Sequence, residues 1–212
     1  MFVSIFYNYF VLFIHMTVIH SVGNITVKKQ SNNTYSITND PFFVEFLSAD
    51  HFHSEEEDKD IHFRATSILT LPQYLAHTKD INNEFCMKMV YDLGGQILFM
   101  ERNNRGFLNF NLEDIIVIDH HFFLFLNQEI YPLTKQLEIN HPFVLSEFSA
   151  PELEKIKELP ATASHKTVYY SLASIILYCL RVDLETLFPS KLYFFLERCL
   201  KEDPNDRIFL SI

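Results

Sequence analysis

Val168-Tyr169-Tyr170-Ser171-Leu172-Ala173-Ser174-Ile175-Ile176-Leu177-Tyr178-Cys179-Leu180 is apolar around most of the circumference of a helix. This pattern marks a helix in the middle of a domain. The stretch is too short to span a bilayer, which takes about 20 apolar residues. Downstream, Ser190 is positioned to cap a helix in which Leu192, Phe195, Leu196, Cys199 and Leu200 recur at helical spacing, and that helix should stop at Asp203-Pro204. Upstream, Ile115-Ile116-Val117-Ile118 and Phe122-Phe123-Leu124-Phe125-Leu126 are continuous apolar runs joined by Asp119-His120-His121. They predict a hairpin of buried strands with the two histidines as turn residues. Asn82 or Asn83 can cap a longer helix reaching about Glu101, on which Cys86, Met89, Val90, Leu93, Ile97 and Met100 form one apolar stripe. Gly94 and Gly95 interrupt it at roughly 1 kcal/mol each relative to Ala, which points to close packing against a neighbour. Leu71 to Ala76 is a shorter helix candidate.

Before residue 68 the periodicity is weaker. Residues 23–67 read as a β-rich unit, with polar alternation such as Ile25-Thr26-Val27-Lys28 and an acidic run, Glu55 to Asp60, expected as a solvated loop. His51 and His53 beside it could contribute to a metal site, although no complete ligand set is written there. Residues 1–22 carry no Lys, Arg, Asp or Glu. Buried strands and a membrane anchor or signal segment both fit that composition. Asn-x-Ser/Thr triplets at Asn24 and Asn32 would matter only if this segment exports the chain.

The chain has 22 Phe and 10 Tyr but no Trp and only 4 Gly, so its core should rest on aromatic packing with few glycine turns. A net charge of −10 argues against nucleic acid as a partner, since a phosphate backbone requires a basic face. Cys86, Cys179 and Cys199 are odd in number and widely spaced, as expected of buried free thiols in a reducing compartment.

From about residue 68 to 212 the order of elements and three motifs resemble the C-terminal lobe of protein kinases. The motifs are Ser149-Ala150-Pro151-Glu152, the Tyr170 to Tyr178 portion of the apolar helix, and Leu196-Glu197-Arg198-Cys199-Leu200-Lys201-Glu202-Asp203-Pro204-Asn205-Asp206-Arg207. The resemblance implies an α+β, mainly helical fold: a protein-kinase-like C-terminal lobe with a reduced or degenerate N-terminal β-rich lobe. It also implies that Glu152 pairs with Arg207 as a structural contact.

The same resemblance implies that the chemistry has been lost. Setting Glu113-Asp114-Ile115-Ile116 against the family's Glu-Asn-Ile-Leu puts Asp114 at the metal-binding Asn position. Five residues earlier, Phe107-Leu108-Asn109-Phe110 stands where kinases have His-Arg-Asp-Leu, so Asn109 occupies the place of the catalytic base. An amide cannot accept a proton at neutral pH. The Asp-Phe-Gly place falls near Asn127-Gln128-Glu129, and an amide is a poorer magnesium ligand than a carboxylate. No Gly-x-Gly-x-x-Gly is present, and only Lys28 or Lys29 faintly matches the family's phosphate-binding Lys.

In lacking these motifs the chain looks like the kinase non-catalytic C-lobe domain, and its general cast is similar to kinase-like proteins of large DNA viruses. The resemblance therefore implies a pseudokinase-type cytoplasmic module with a protein partner and no cofactor. The alternative is a divergent Ser/Thr kinase binding Mg-ATP through Asp114, Asn127 and Glu129. Attachment to a membrane through residues 1–22 is compatible with either.

Overall fold

The computed structural model describes residues 16–30, 33–38, 55–57, 60–78, 81–127 and 129–209. Strands β1 (Thr17–Val22), β2 (Ile25–Lys29), β3 (Thr34–Thr38), β4 (Glu55–Glu57) and β5 (Asp60–Arg64) form an antiparallel sheet ordered β1-β2-β3-β5-β4. Period-two alternation sends Ile25, Val27, Tyr35, Ile37, Ile61 and Phe63 to one buried face. Gly23, at φ 56°, makes the turn between β1 and β2. The acidic run is not a loop throughout: Glu55–Glu57 is the edge strand β4, paired with β5. His51 and His53 lie outside the described residues, and among the described residues no group of three or more His, Cys, Asp or Glu could hold a metal.

A second sheet joins β6 (Ile68–Thr70), β8 (Ile115–Ile118) and β9 (Phe122–Phe125) in the order β6-β8-β9. Its hairpin explains why the sequence is apolar without interruption. Ile116, Ile118, Phe122, Leu124 and Leu126 face the first sheet, whereas Ile115, Val117, Phe123 and Phe125 face the helices. A strand buried on both faces has no polar side to display. Asp119 and His120 take left-handed backbone at φ 50° and 65°, and the Asp119 carboxylate accepts from the Thr66 amide and hydroxyl at 2.6 Å and from the Ser67 amide at 2.9 Å.

Helix α1 (Leu71–His77) begins with a reciprocal cap between Thr70 and Gln73. Helix α2 (Asn83–Arg102) is capped by Asn82, which accepts from the Phe85 amide at 2.8 Å. Its buried Asp92 and Gln96 bond the backbone of β9, accepting from Phe123 N at 3.0 Å and Phe125 N at 3.1 Å, while the Gln96 amide donates to Phe125 O at 2.8 Å. One turn of helix thus supplies the hydrogen bonds that another strand would have made. Helix α3 (Thr167–Leu180) runs through the core, with Val168, Leu172, Ala173, Ile175 and Ile176 fully buried.

Helix α4 (Lys191–Cys199), capped by Ser190, ends at Cys199, short of Asp203-Pro204. The Lys201 and Glu202 carbonyls, just beyond its end, accept from Arg207 at 2.7 and 2.9 Å. Two small ladders complete the chain. β7 (Arg105–Gly106) pairs with β10 (Tyr131–Pro132), and β11 (Leu137–Ile139) pairs with β12 (Ala161–Ala163).

The expectation of a mainly helical, protein-kinase-like C-terminal lobe is corrected by this architecture. Among the described residues twelve strands in four small antiparallel sheets accompany four α-helices, so the class is α+β without helical predominance. Strands of two or three residues leave no readable period, so the ladders between α2 and α3 were invisible beside the strong helical stripes. In the N-terminal sheet, strands β1, β2, β3 and β5 share a core with the β8–β9 hairpin.

No helix among the described residues is long and apolar enough to cross a membrane, and residues 1–15 lie outside them. Residues 17–22 are a strand, as one reading of the apolar segment expected, but an edge strand with Val18 exposed.

Candidate functional site

The loop between β7 and β8 carries the residues singled out by sequence, and aromatic packing fixes it. Phe107 and Phe110 both stand edge-on to Phe125, with ring centres 5.2 and 4.4 Å away. From below, the Phe110 amide donates to the buried Ser171 hydroxyl of α3 at 2.8 Å. On the other side, the Ser146 hydroxyl donates to Phe110 O at 3.0 Å.

Between these anchors Asn109 is only 6% exposed. Its Nδ2 donates to Val144 O at 3.1 Å and to Ser149 Oγ at 2.7 Å. An ionised carboxylate could donate neither bond, and could only accept from the Ser149 hydroxyl in reverse. Asn109 is therefore a clamp on the 144–149 segment. That segment is further braced by Ser149 Oγ, which accepts from Ser146 N at 2.8 Å.

Asp114 lies just before β8, where its carbonyl accepts from Leu126 N at 2.8 Å and so sits beside the end of β9. Burial pushes its carboxyl above the ordinary value of 3.8, a rise that the Asn111 amide at 3.1 Å and the nearby His20 only partly offset. The Asn127 side-chain oxygen accepts from Glu129 N at 2.8 Å, and the Glu129 carboxylate accepts from the Tyr131 hydroxyl at 3.3 Å. Burial foremost, then the Glu129 charge, pushes the Tyr131 phenol well above its usual range.

Each of the three residues named for Mg-ATP thus has one side-chain oxygen engaged within the protein.

Glu152 and Arg207 form a two-pronged pair at 2.5 and 2.8 Å. Arg207 is fully buried and also donates to the Lys201, Glu202 and Lys166 carbonyls, the last at 3.4 Å, while its guanidinium lies 5.0 Å from the centre of the Tyr170 ring. Three segments are tied to one side chain.

Sequence reasoning did not foresee Ser146, Ser171, Asp92 or Gln96 as organising groups. A polar residue on the buried face of an otherwise apolar helix was the available signal for the last three.

No protein-family model and no curated protein matches the chain.

Proposed function

We propose that this chain is a catalytically inactive protein related to protein kinases, acting as a protein-interaction or regulatory module. The observation that carries the reading is Asn109, whose two amide protons are committed to Val144 and Ser149 at the position where the resemblance puts a catalytic base. Phosphoryl transfer needs a carboxylate there to orient the attacking hydroxyl and accept its proton. The retained Glu152–Arg207 pair serves architecture, whereas the replaced positions are those that would serve chemistry.

A binding role is supported by the surface the clamp presents. Val144 is 67% and Leu145 44% exposed, yet Asn109 holds the Val144 carbonyl, so apolar contacts are offered with little further ordering cost. Tyr178, also exposed, stands edge-on to Phe148 of the same segment at 5.3 Å. The net charge of −10 supports a partner other than nucleic acid. The buried free thiols of Cys86, Cys179 and Cys199, pushed up to about 12 by burial, are consistent with a cytoplasmic setting.

The test is titration with Mg-ATP followed by both melting temperature and phosphate release. A ligand that binds only the native state raises the melting temperature by mass action. The expected result is no shift and no turnover. Saturable stabilisation accompanied by phosphate transfer would overturn the reading in favour of a divergent kinase using Asp114, Asn127 and Glu129.

A further inference from the structure

Away from Asn109 and Asp114, a cavity of about 340 Å³ opens between the β11–β12 ladder, the start of α3 and the turn at Pro204. Its volume falls at the lower end of the range for small-ligand sites, roughly 300–1,000 Å³. Two lysines and a histidine from two segments line it: Lys135, His165 and Lys166. Its one lining carboxylate, Glu152, already has both oxygens bonded by Arg207. In a chain with 27 acidic against 17 basic residues, such a one-signed cavity is against the grain of the composition.

The walls are built rather than incidental. Arg207 holds the Lys166 carbonyl and Glu152 together from behind, and the Thr162 hydroxyl donates to Gln136 at 2.7 Å across the ladder. The Lys166 ammonium donates to Asn205 O at 3.2 Å, which positions it across the mouth and leaves two of its three protons for a ligand. Ser164 Oγ accepts from Lys166 N at 3.2 Å, so its own proton remains available to an acceptor.

We propose that this cavity binds a phosphate monoester. A compact dianion with three terminal oxygens matches convergent ammonium, imidazole and hydroxyl donors, each bond being strengthened by charge. A single carboxylate would leave the cationic excess uncompensated. The assignment does not depend on the proposed loss of catalysis, because it rests on none of Asn109, Asp114, Asn127 and Glu129.

The experiment is a titration of the full chain at low ionic strength with inorganic phosphate, with O-phosphoserine and with a phosphoserine-containing peptide, read by calorimetry. Saturable binding is expected, weakened at least about tenfold in K135A/K166A and unchanged in K155A/K157A, which removes two exposed lysines outside the cavity. Both double variants are first shown to melt as the wild type does, with K135M/K166M substituted if the alanine pair does not. Tighter binding of the peptide identifies a phosphorylated protein as the source, and equal binding identifies a free phosphate compound. Absence of saturation with all three ligands, or equal weakening in the two double variants, would overturn the proposal.

Discussion

The ring of Phe209 occupies the space into which a side chain on Gly94 would project. A Cβ built at Gly94 would lie 2.5 Å from Phe209 Cζ, whereas one built at Gly95 meets nothing within 4 Å. Two adjacent glycines in one helix therefore have opposite meanings. Phe209 has little freedom to yield, because Tyr169 and Phe195 flank it at 5.1 and 5.4 Å between ring centres.

Gly95→Ala should stabilise the protein by about 0.5–1 kcal/mol, the helix-propensity gain alone. Gly94→Ala should destabilise it by about 1–3 kcal/mol through overpacking, and the loss should shrink in the background of Phe209→Ala. Urea unfolding of the four variants checks both signs.

Arg207→Met should be among the most damaging single substitutions. It strands the Glu152 carboxylate, whose side chain is only 19% exposed, together with the Lys166, Lys201 and Glu202 carbonyls. The expected loss is about 3–5 kcal/mol. Arg207→Lys should recover only part of it, since an ammonium lacks the two-pronged fork. A lysine variant as stable as the wild type would show that charge alone suffices.

Asn109→Asp restores the residue that a kinase would carry, yet should confer no phosphoryl transfer. The new carboxylate would face Val144 O and Ser149 Oγ, replacing two donated bonds with one repulsive and one reversed contact. A destabilisation of about 1–3 kcal/mol follows, with faster proteolytic cleavage between residues 141 and 149. Appearance of Mg-ATP turnover in this variant would contradict the clamp interpretation.

Asp119 should impart an acid-side pH dependence. Burial opposes its ionisation, but the Thr66 and Ser67 donors outweigh that effect and hold its carboxyl below the ordinary 3.8. Because the folded value is depressed, the stabilisation is present above the unfolded value and is lost as pH falls through the folded one. Asn tolerates the left-handed backbone there, so Asp119→Asn isolates the charge. The wild-type advantage over this variant should be full above about pH 5 and disappear as acid is added past that lowered value.

Long, strongly periodic elements were legible in the sequence. The caps at Asn82 and Ser190, the stripe along α2 and the two-sided apolarity of the β8–β9 hairpin each left a pattern that local physics could decode. What escaped depends on partners distant in sequence. The two-residue strand β7 exists because β10 lies beside it, and Glu55–Glu57 became a strand only because β5 offered a free edge. The balance of helix and sheet was misjudged for the same reason.

At the candidate site, the identity of Asn109 was readable, but its two acceptors lie 35 and 40 residues away and could not be. Gly94 and Gly95 look alike in sequence, and only Phe209 distinguishes them.

The bond from Phe110 to Ser171 gives the chain a built-in reporter. That amide proton is buried against the hydroxyl of the central helix, so it trades with deuterium only when the loop lifts off its support. Its exchange rate consequently measures how firmly the β7–β8 loop is fastened to the central helix.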